Sequence, residues 1–321
     1  MARGIRKKTK PRGRGRADEL ITILDLVRLA TTRFVKAKLA FGHGTPDPAA
    51  EAIFLIGEAL HLPLDRAESF LNARLTAAER QSILALIEAR IRTRKPAAYL
   101  VHRAYLQELP FYVDERVIVP RSYIAELLNG ELFDAEGSGL IVDPGAVMRV
   151  LDLCTGSGCL AVLACNKFPN AKVDAVDISA PALQVAKINV ADHGLSDRIT
   201  LHKGDLFEPV AGAKYDLILS NPPYVKHAAM QRLPPEYRHE PALALDGGTD
   251  GLRLVRRILD EAARHLKPTG GLLCEIGAGR AALERSYPDL QFLWLDTEDS
   301  SGEVFWIEAS ALQRRSRAGR D

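Results

Sequence analysis

From Arg149 onward the chain alternates short apolar runs with helical patterns, and few folds accept that order. Apolar runs fall at 149–154, 172–176, 199–202, 215–220, 271–276 and 303–308. Patterns of helical period fill 158–167, 180–192, 250–266 and 279–286. Strands separated by helices pair in parallel, because each connection must cross over the sheet. The order predicts an α/β domain with a doubly wound, Rossmann-like sheet. The last two runs, Phe292-Leu293-Trp294-Leu295 and Val304-Phe305-Trp306-Ile307, are close in sequence and are expected to pair antiparallel at one edge.

Ligands of open parallel sheets bind beyond the carboxyl ends of the strands. Four runs end there in groups suited to one ligand. The first leads through Asp152, Cys154 and Thr155 into Gly156-Ser157-Gly158, a turn that opens a helix. Glycines let the backbone approach a ligand closely, and the helix start offers free N–H groups. Ala161 fills the third place of a loose dinucleotide fingerprint. The second run ends at Asp177, about 20 residues past Gly158, the spacing of an acid that binds a ribose diol. The third leads to Asp205 and Leu206, where a carboxylate or its neighbouring backbone can meet an adenine amino group.

The fourth run, Tyr215-Asp216-Leu217-Ile218-Leu219-Ser220, stops at Asn221-Pro222-Pro223-Tyr224. Neither proline has an N–H for the ladder, so the strand must end at a rigid corner. A bare Pro-Pro corner is only a turn. Beside the three strand ends it reads as a grip for an –NH2 group. The Asn221 side-chain oxygen and the Pro222 carbonyl can each accept one N–H of an amide or arylamine, which aims the nitrogen lone pair at an electrophile. Pro223 and Tyr224 would shape the slot, and the Tyr224 ring can stack on a planar amide or base. Hydride transfer has no use for such a grip, and no Gly-Lys-Ser/Thr of a phosphate loop is present. The ligand that fits is a nucleoside with an amino-acid tail and a transferable carbon, S-adenosylmethionine, with Asp152 placed to attract its α-ammonium. On these residues alone the acceptor is a protein amide or an exocyclic adenine amine.

The region before Arg149 is of another kind. Leu20, Ile23, Leu24, Val27, Ala30 and Phe34 form one helical stripe from Asp18 onward, and Phe41-Gly42-His43-Gly44 breaks it. Asp47-Pro48 opens a second helix carrying Ile53, Phe54, Ile56 and Leu60. Thr76-Ala77-Ala78-Glu79 is a capping box for a third, with Ile83, Leu84, Leu86, Ile87 and Ile91 as its buried side. Two β-rich runs within 104–119, separated by Asp114-Glu115-Arg116, suggest a linking hairpin. The expected layout is a disordered basic tail at 1–17, a helical substrate-recognition domain at 18–95, a linker with the hairpin at 96–119, the sheet domain at 120–312 and a basic tail at 313–321.

Charge is unevenly spread. Residues 1–16 hold eight Lys or Arg and no acid, so a total of +2 leaves the remainder at −6. A basic tail on an acidic body points to a polyanionic partner such as RNA. Cys154, Cys159, Cys165 and Cys274 lack metal-ligand spacing and read as small core residues of a reducing compartment, the cytoplasm. No metal site and no membrane span is expected.

Four stretches carry a family resemblance: Pro120-Arg121-Ser122-Tyr123-Ile124-Ala125-Glu126-Leu127-Leu128, Asp152 through Cys159, Asn221-Pro222-Pro223-Tyr224-Val225, and His239-Glu240-Pro241-Ala242-Leu243-Ala244-Leu245. Together they resemble the HemK-type protein-glutamine methyltransferases over roughly residues 20–310. Cys154-Thr155-Gly156 and Pro120-Arg121-Ser122 are similar to the branch acting on large-subunit ribosomal protein L-three. The resemblance implies a class I S-adenosylmethionine-dependent methyltransferase that modifies the N5 amide nitrogen of a glutamine in a ribosomal protein, within an RNA-containing assembly particle. It implies Asn221 and Pro222 holding the amide, with Pro223 and Tyr224 shaping its slot. Asn221, Pro222 and Tyr224 are the expected catalytic residues, and Arg121 and, from its place in the loop after that corner, Glu240 are further expected substrate contacts. Release factors, or adenine N6 in nucleic acid, are the alternative substrates.

Overall fold

The computed structural model describes residues 20–63, 66–133, 140–141, 143–298 and 300–318. The basic tail at 1–17 lies outside them; of the basic tail expected at 313–321, residues 313–318 instead continue a helix, Ala309–Ala318. The chain divides into two units, one of residues up to 41 together with 45–94, the other of 42–44 together with the chain from 95 onward.

The first unit is helical: α1 (Ile23–Lys36), α2 (Pro48–Ala59), α3 (Ala67–Phe70) and α4 (Ala77–Thr93). Thr22 and Asp25 form a reciprocal capping box, which starts α1 at Ile23 rather than near Asp18. Asp47 caps α2 by accepting from Ala49 and Ala50, and Thr76 with Glu79 caps α4 as expected. The buried stripe of α1 contains Leu26, whereas Leu24 is 46% exposed. In α2 the buried face is Ala52, Leu55 and Ile56, so Ile53 and Phe54 sit on its margin. The shift follows from Glu51, which turns inward to meet the fully buried Arg90 at 2.7 Å. Periodicity of apolar residues alone does not reveal a buried ion pair.

The second unit begins with α5 (Ala97–Val101) and a hairpin of β1 (Ala104–Leu106) and β2 (Leu109–Phe111). The hairpin turns at Gln107-Glu108, not at Asp114–Arg116. Both turn residues adopt left-handed φ, 48° and 64°, the geometry whose twist matches a two-residue loop. Asp114 instead holds its own local turn, bonding Tyr112 and Arg116. After α6 (Tyr123–Asn129) come β3 (Arg149–Leu153), α7 (Cys159–Lys167), β4 (Lys172–Asp177), α8 (Ala180–Asp192), β5 (Ile199–Lys203), β6 (Tyr215–Ser220), α9 (His227–Met230), α10 (Arg253–His265), β7 (Leu266–Glu275), α11 (Arg280–Ser286), β8 (Leu293–Leu295), β9 (Val304–Glu308) and α12 (Ala309–Ala318).

The seven strands lie in the order β5-β4-β3-β6-β7-β9-β8. The first five are mutually parallel, and β9 runs antiparallel to β7 and β8, as the two closing runs required. Alternate residues feed two cores. Leu217 and Leu219 of β6 pack with α6 and α7 residues on one face. Ile218 packs with α10 residues on the other. A sheet covered on both faces explains why its strands read as continuous apolar runs. Strand order reverses between β3 and β6, which makes their carboxyl ends the switch point where a crevice opens.

Candidate active site

Register places the site. Leu153, Ser220 and Cys274 pair across β3, β6 and β7. The next residues, Cys154, Asn221 and Glu275, therefore stand abreast at the carboxyl edge. The Ser220 hydroxyl donates to the Leu153 carbonyl at 3.0 Å and ties off the end of β6 before the two prolines. Cys154 and Leu206 both hold left-handed φ, 61° and 51°, unusual for side chains with a Cβ, and both line the cavity.

A cavity of about 320 Å³ opens at this edge. Cys154, Thr155, Gly156, Asp177, Asp205 and Leu206 line its strand side, and Asn221 and Pro223 its corner. Gly156 and Gly158 adopt φ of 55° and 79°, a region that favours glycine. Asp177 braces that turn: Oδ2 accepts from the Gly156 N–H at 2.9 Å and Oδ1 from Ser179 at 2.8 Å. Each oxygen keeps a second lone pair for hydroxyl donors. Burial pushes the Asp177 pKa up, against those backbone bonds. Asp205 accepts from Arg257 at 3.0 Å.

Asp152 is the most demanding group. It is wholly buried, and Thr155 donates to Oδ2 at 2.6 Å. Oδ1 has no hydrogen-bond partner among the described residues. Burial raises its pKa to about 7. An unsatisfied buried carboxylate oxygen is costly unless a cation or donor arrives.

At the corner, Asn221 Nδ2 donates to the main-chain carbonyl of Arg121 at 3.2 Å. That bond leaves Oδ1 as the acceptor. Pro222 is buried and, like Tyr224, does not line the cavity. The Tyr224 hydroxyl donates to Glu275 Oε1 at 2.9 Å, so the ring is a fixed wall rather than a free stacking platform. Burial and the neighbouring Glu275 charge raise its pKa well above the usual phenol value. Glu240, expected to touch substrate, is buried and bidentate to Arg121 at 2.6 Å, and is not among the cavity residues. Its place is that of a support. The Arg121 side chain is committed to Glu240. Burial alone would lower its pKa, yet those bonds raise it.

Several residues at the site carry no signal in the sequence reading. Glu275 ends an apolar strand just as Asp177 does, and that pattern could have marked it. Gly247 and Gly251 press on the corner: a Cβ at either would come within 2.7 Å or less of the Pro223 or Tyr224 backbone. His202 and His227 bond to Asp174 and Asp246, and neither lines the cavity. Among the described residues no group of His, Cys, Asp or Glu could hold a metal, and no helix is long and apolar enough to cross a membrane.

A switch-point cavity with a glycine turn, an acid at the end of the second strand and an Asn-Pro-Pro-Tyr corner at the end of the fourth is the arrangement of a class I S-adenosylmethionine-dependent methyltransferase. The methyltransferase small domain family matches residues 137–233. Three relatives bear the name ribosomal protein uL3 glutamine methyltransferase. That of Bradyrhizobium diazoefficiens is 59% identical over 97% of this chain and 100% of its own length. The Burkholderia pseudomallei protein is 52% identical over 91% and 95%, and the Bordetella pertussis protein 51% over 92% and 97%. The chain belongs to the family of ribosomal protein uL3 glutamine methyltransferases.

Proposed function

We propose that this protein transfers a methyl group from S-adenosylmethionine to the N5 amide nitrogen of a glutamine in ribosomal protein uL3. The observation that carries the reading is the orientation of Asn221, a cavity-lining residue whose Nδ2 is spent on the Arg121 carbonyl, which leaves Oδ1 as its acceptor. An acceptor there suits an N–H donor, and a glutamine amide supplies two.

The residues present fit the methyl donor. Asp177 suits its ribose hydroxyls and Asp205 with the Leu206 backbone its adenine edge, while Asp152, buried behind the Thr155 that lines the cavity, carries an orphaned Oδ1 suited to its α-ammonium directly or through water. Cys154, Thr155, Gly156 and Gly158 form the turn that lets it approach the backbone. When bound it supplies a sulfonium methyl, the electrophilic carbon of the reaction.

The chain's own contribution is alignment. Asn221 Oδ1 holds one substrate N–H group, and the rigid Pro222-Pro223 corner, whose first proline is buried away from the cavity, fixes where the nitrogen stands. A buried slot with fixed acceptors adds electrostatic preorganisation. No strong general base is needed: as the carbon–sulfur bond breaks and the neutral thioether S-adenosylhomocysteine leaves, the methylated nitrogen is briefly a cationic, N-protonated amide, acidic enough to release one proton to water or a nearby carbonyl. The helical unit is assigned to recognition of the ribosomal protein, and the basic tail to RNA of the assembling particle, which places the reaction in the cytoplasm. The test is incubation with labelled S-adenosylmethionine and, separately, uL3, release factors and nucleic acid. Label in uL3 is expected; label in release factors or nucleic acid alone would redirect the assignment.

A further inference from the structure

Resting on that reading of Asn221, we propose that Glu240 is a positioning residue: acting through Arg121, it sets which end of the Asn221 amide faces the substrate. Glu240 Oε1 accepts from the Val119 N–H at 3.0 Å and from Arg121 Nη1 at 2.6 Å, and Oε2 accepts from Arg121 Nη2 at 2.6 Å. This is a charge-assisted fork on a carboxylate with no exposed side-chain surface. The ring of Tyr237 lies 5.5 Å from the guanidinium, and His43 Nε2 lies 3.9 Å from Oε2.

A second buried carboxylate grips the other end of the same segment. Glu275 Oε2 accepts from the Ser122 hydroxyl at 2.7 Å and the Tyr123 N–H at 3.0 Å. Residues 119–123 are thus pinned from both sides, and the Arg121 carbonyl stands between the pins. That carbonyl takes the Nδ2 of Asn221.

The consequence is chemical. Asparagine has two nearly isosteric orientations, one with its oxygen and one with its NH2 toward the cavity. With Nδ2 anchored, the cavity sees an acceptor, which selects the nitrogen of the substrate amide. Flipped, it would present a donor and select the substrate carbonyl oxygen, leaving the nitrogen turned away. The Arg121 side chain serves as a strut between Glu240 and this choice, and only its main chain reaches Asn221.

The full chain is compared with Glu240→Gln and with the double variant Arg121→Met/Glu240→Leu, which removes both buried charges together and guards against a fold lost to one unpaired charge. With uL3 and labelled S-adenosylmethionine, both variants should lose about 100-fold in kcat. Their Kd for S-adenosylmethionine should stay within about threefold of the parent. Independently of substrate, the side-chain 15N–1H pair of Asn221, assigned by its disappearance in Asn221→Ala, should be exchange-protected in the parent and unprotected in both variants. Parental kcat or undiminished protection in the folded variants would overturn the proposal, as would a loss residing wholly in cofactor affinity. Failure of both variants to fold would assign the pair to the fold and also overturn it. A parent inactive on uL3 but with the Asn221 pair protected would count against the substrate reading and not against Glu240.

Discussion

The ring of Tyr224 lies against Gly277 so closely that a Cβ added there would come within 2.9 Å of two ring carbons. Gly277 also holds φ of 51°. Contact and backbone both demand glycine, and the ring they seat carries the hydroxyl bonded to Glu275. Gly277→Ala should therefore move Tyr224 and loosen Glu275 from residues 122–123. A stability loss of about 1–3 kcal/mol in denaturant unfolding is expected. The fall in kcat should exceed any change in cofactor affinity.

Asn221→Ala should abolish transfer while changing the Kd for S-adenosylmethionine less than about tenfold, or roughly 1.4 kcal/mol. Single-turnover kinetics and calorimetry on the same preparation separate the two. Loss of folding in this variant would instead make the corner structural.

Asp152 has a stability cost that depends on pH. Its folded pKa of about 7 lies above the ordinary carboxylate value, so the folded state binds the extra proton. The stability from that retained proton is fully present below the unfolded pKa, about 4, and is lost as pH rises through about 7. Asp152→Asn should accordingly raise the Tm at pH 8, with the gain shrinking toward pH 5. The same variant should bind S-adenosylmethionine much more weakly. In the parent protein, binding near pH 6 should release a proton, read as buffer-dependent calorimetric heat, because only the carboxylate pairs with an ammonium.

Deletion of residues 1–16 removes eight cationic side chains. Association with RNA or ribosomal particles should weaken, and its dependence on salt should flatten, because fewer counterions are released on binding. Transfer to isolated uL3 should be little changed. Binding with an unchanged salt slope would leave the tail without this role.

The sheet was legible because its strands are contiguous apolar runs. The run 215–220 is also the observed β6, and the glycine turn, Asp177 and Asn221 fall at strand ends as their spacing required. What escaped was set by contacts distant in sequence. Asn221 meets Arg121 across 100 positions, and Glu240 meets Val119 across 121. Nothing local to Glu240 distinguishes an exposed acid in a loop from a buried strut. The Glu51–Arg90 pair was out of reach in the same way, since its two members lie 39 positions apart. The hairpin was misplaced because Gln107-Glu108 lacks the Asn-Gly or Asp-Gly chemistry that usually marks such a turn.

The most direct measurement is a crystal structure with S-adenosylhomocysteine and a glutamine-containing segment of uL3. The account expects the glutamine amide nitrogen within about 3.2 Å of Asn221 Oδ1. The sulfur should sit beyond that nitrogen, over the Gly156–Gly158 turn. A glutamine whose carbonyl oxygen, rather than nitrogen, meets Asn221, or a sulfur remote from the corner, would contradict it.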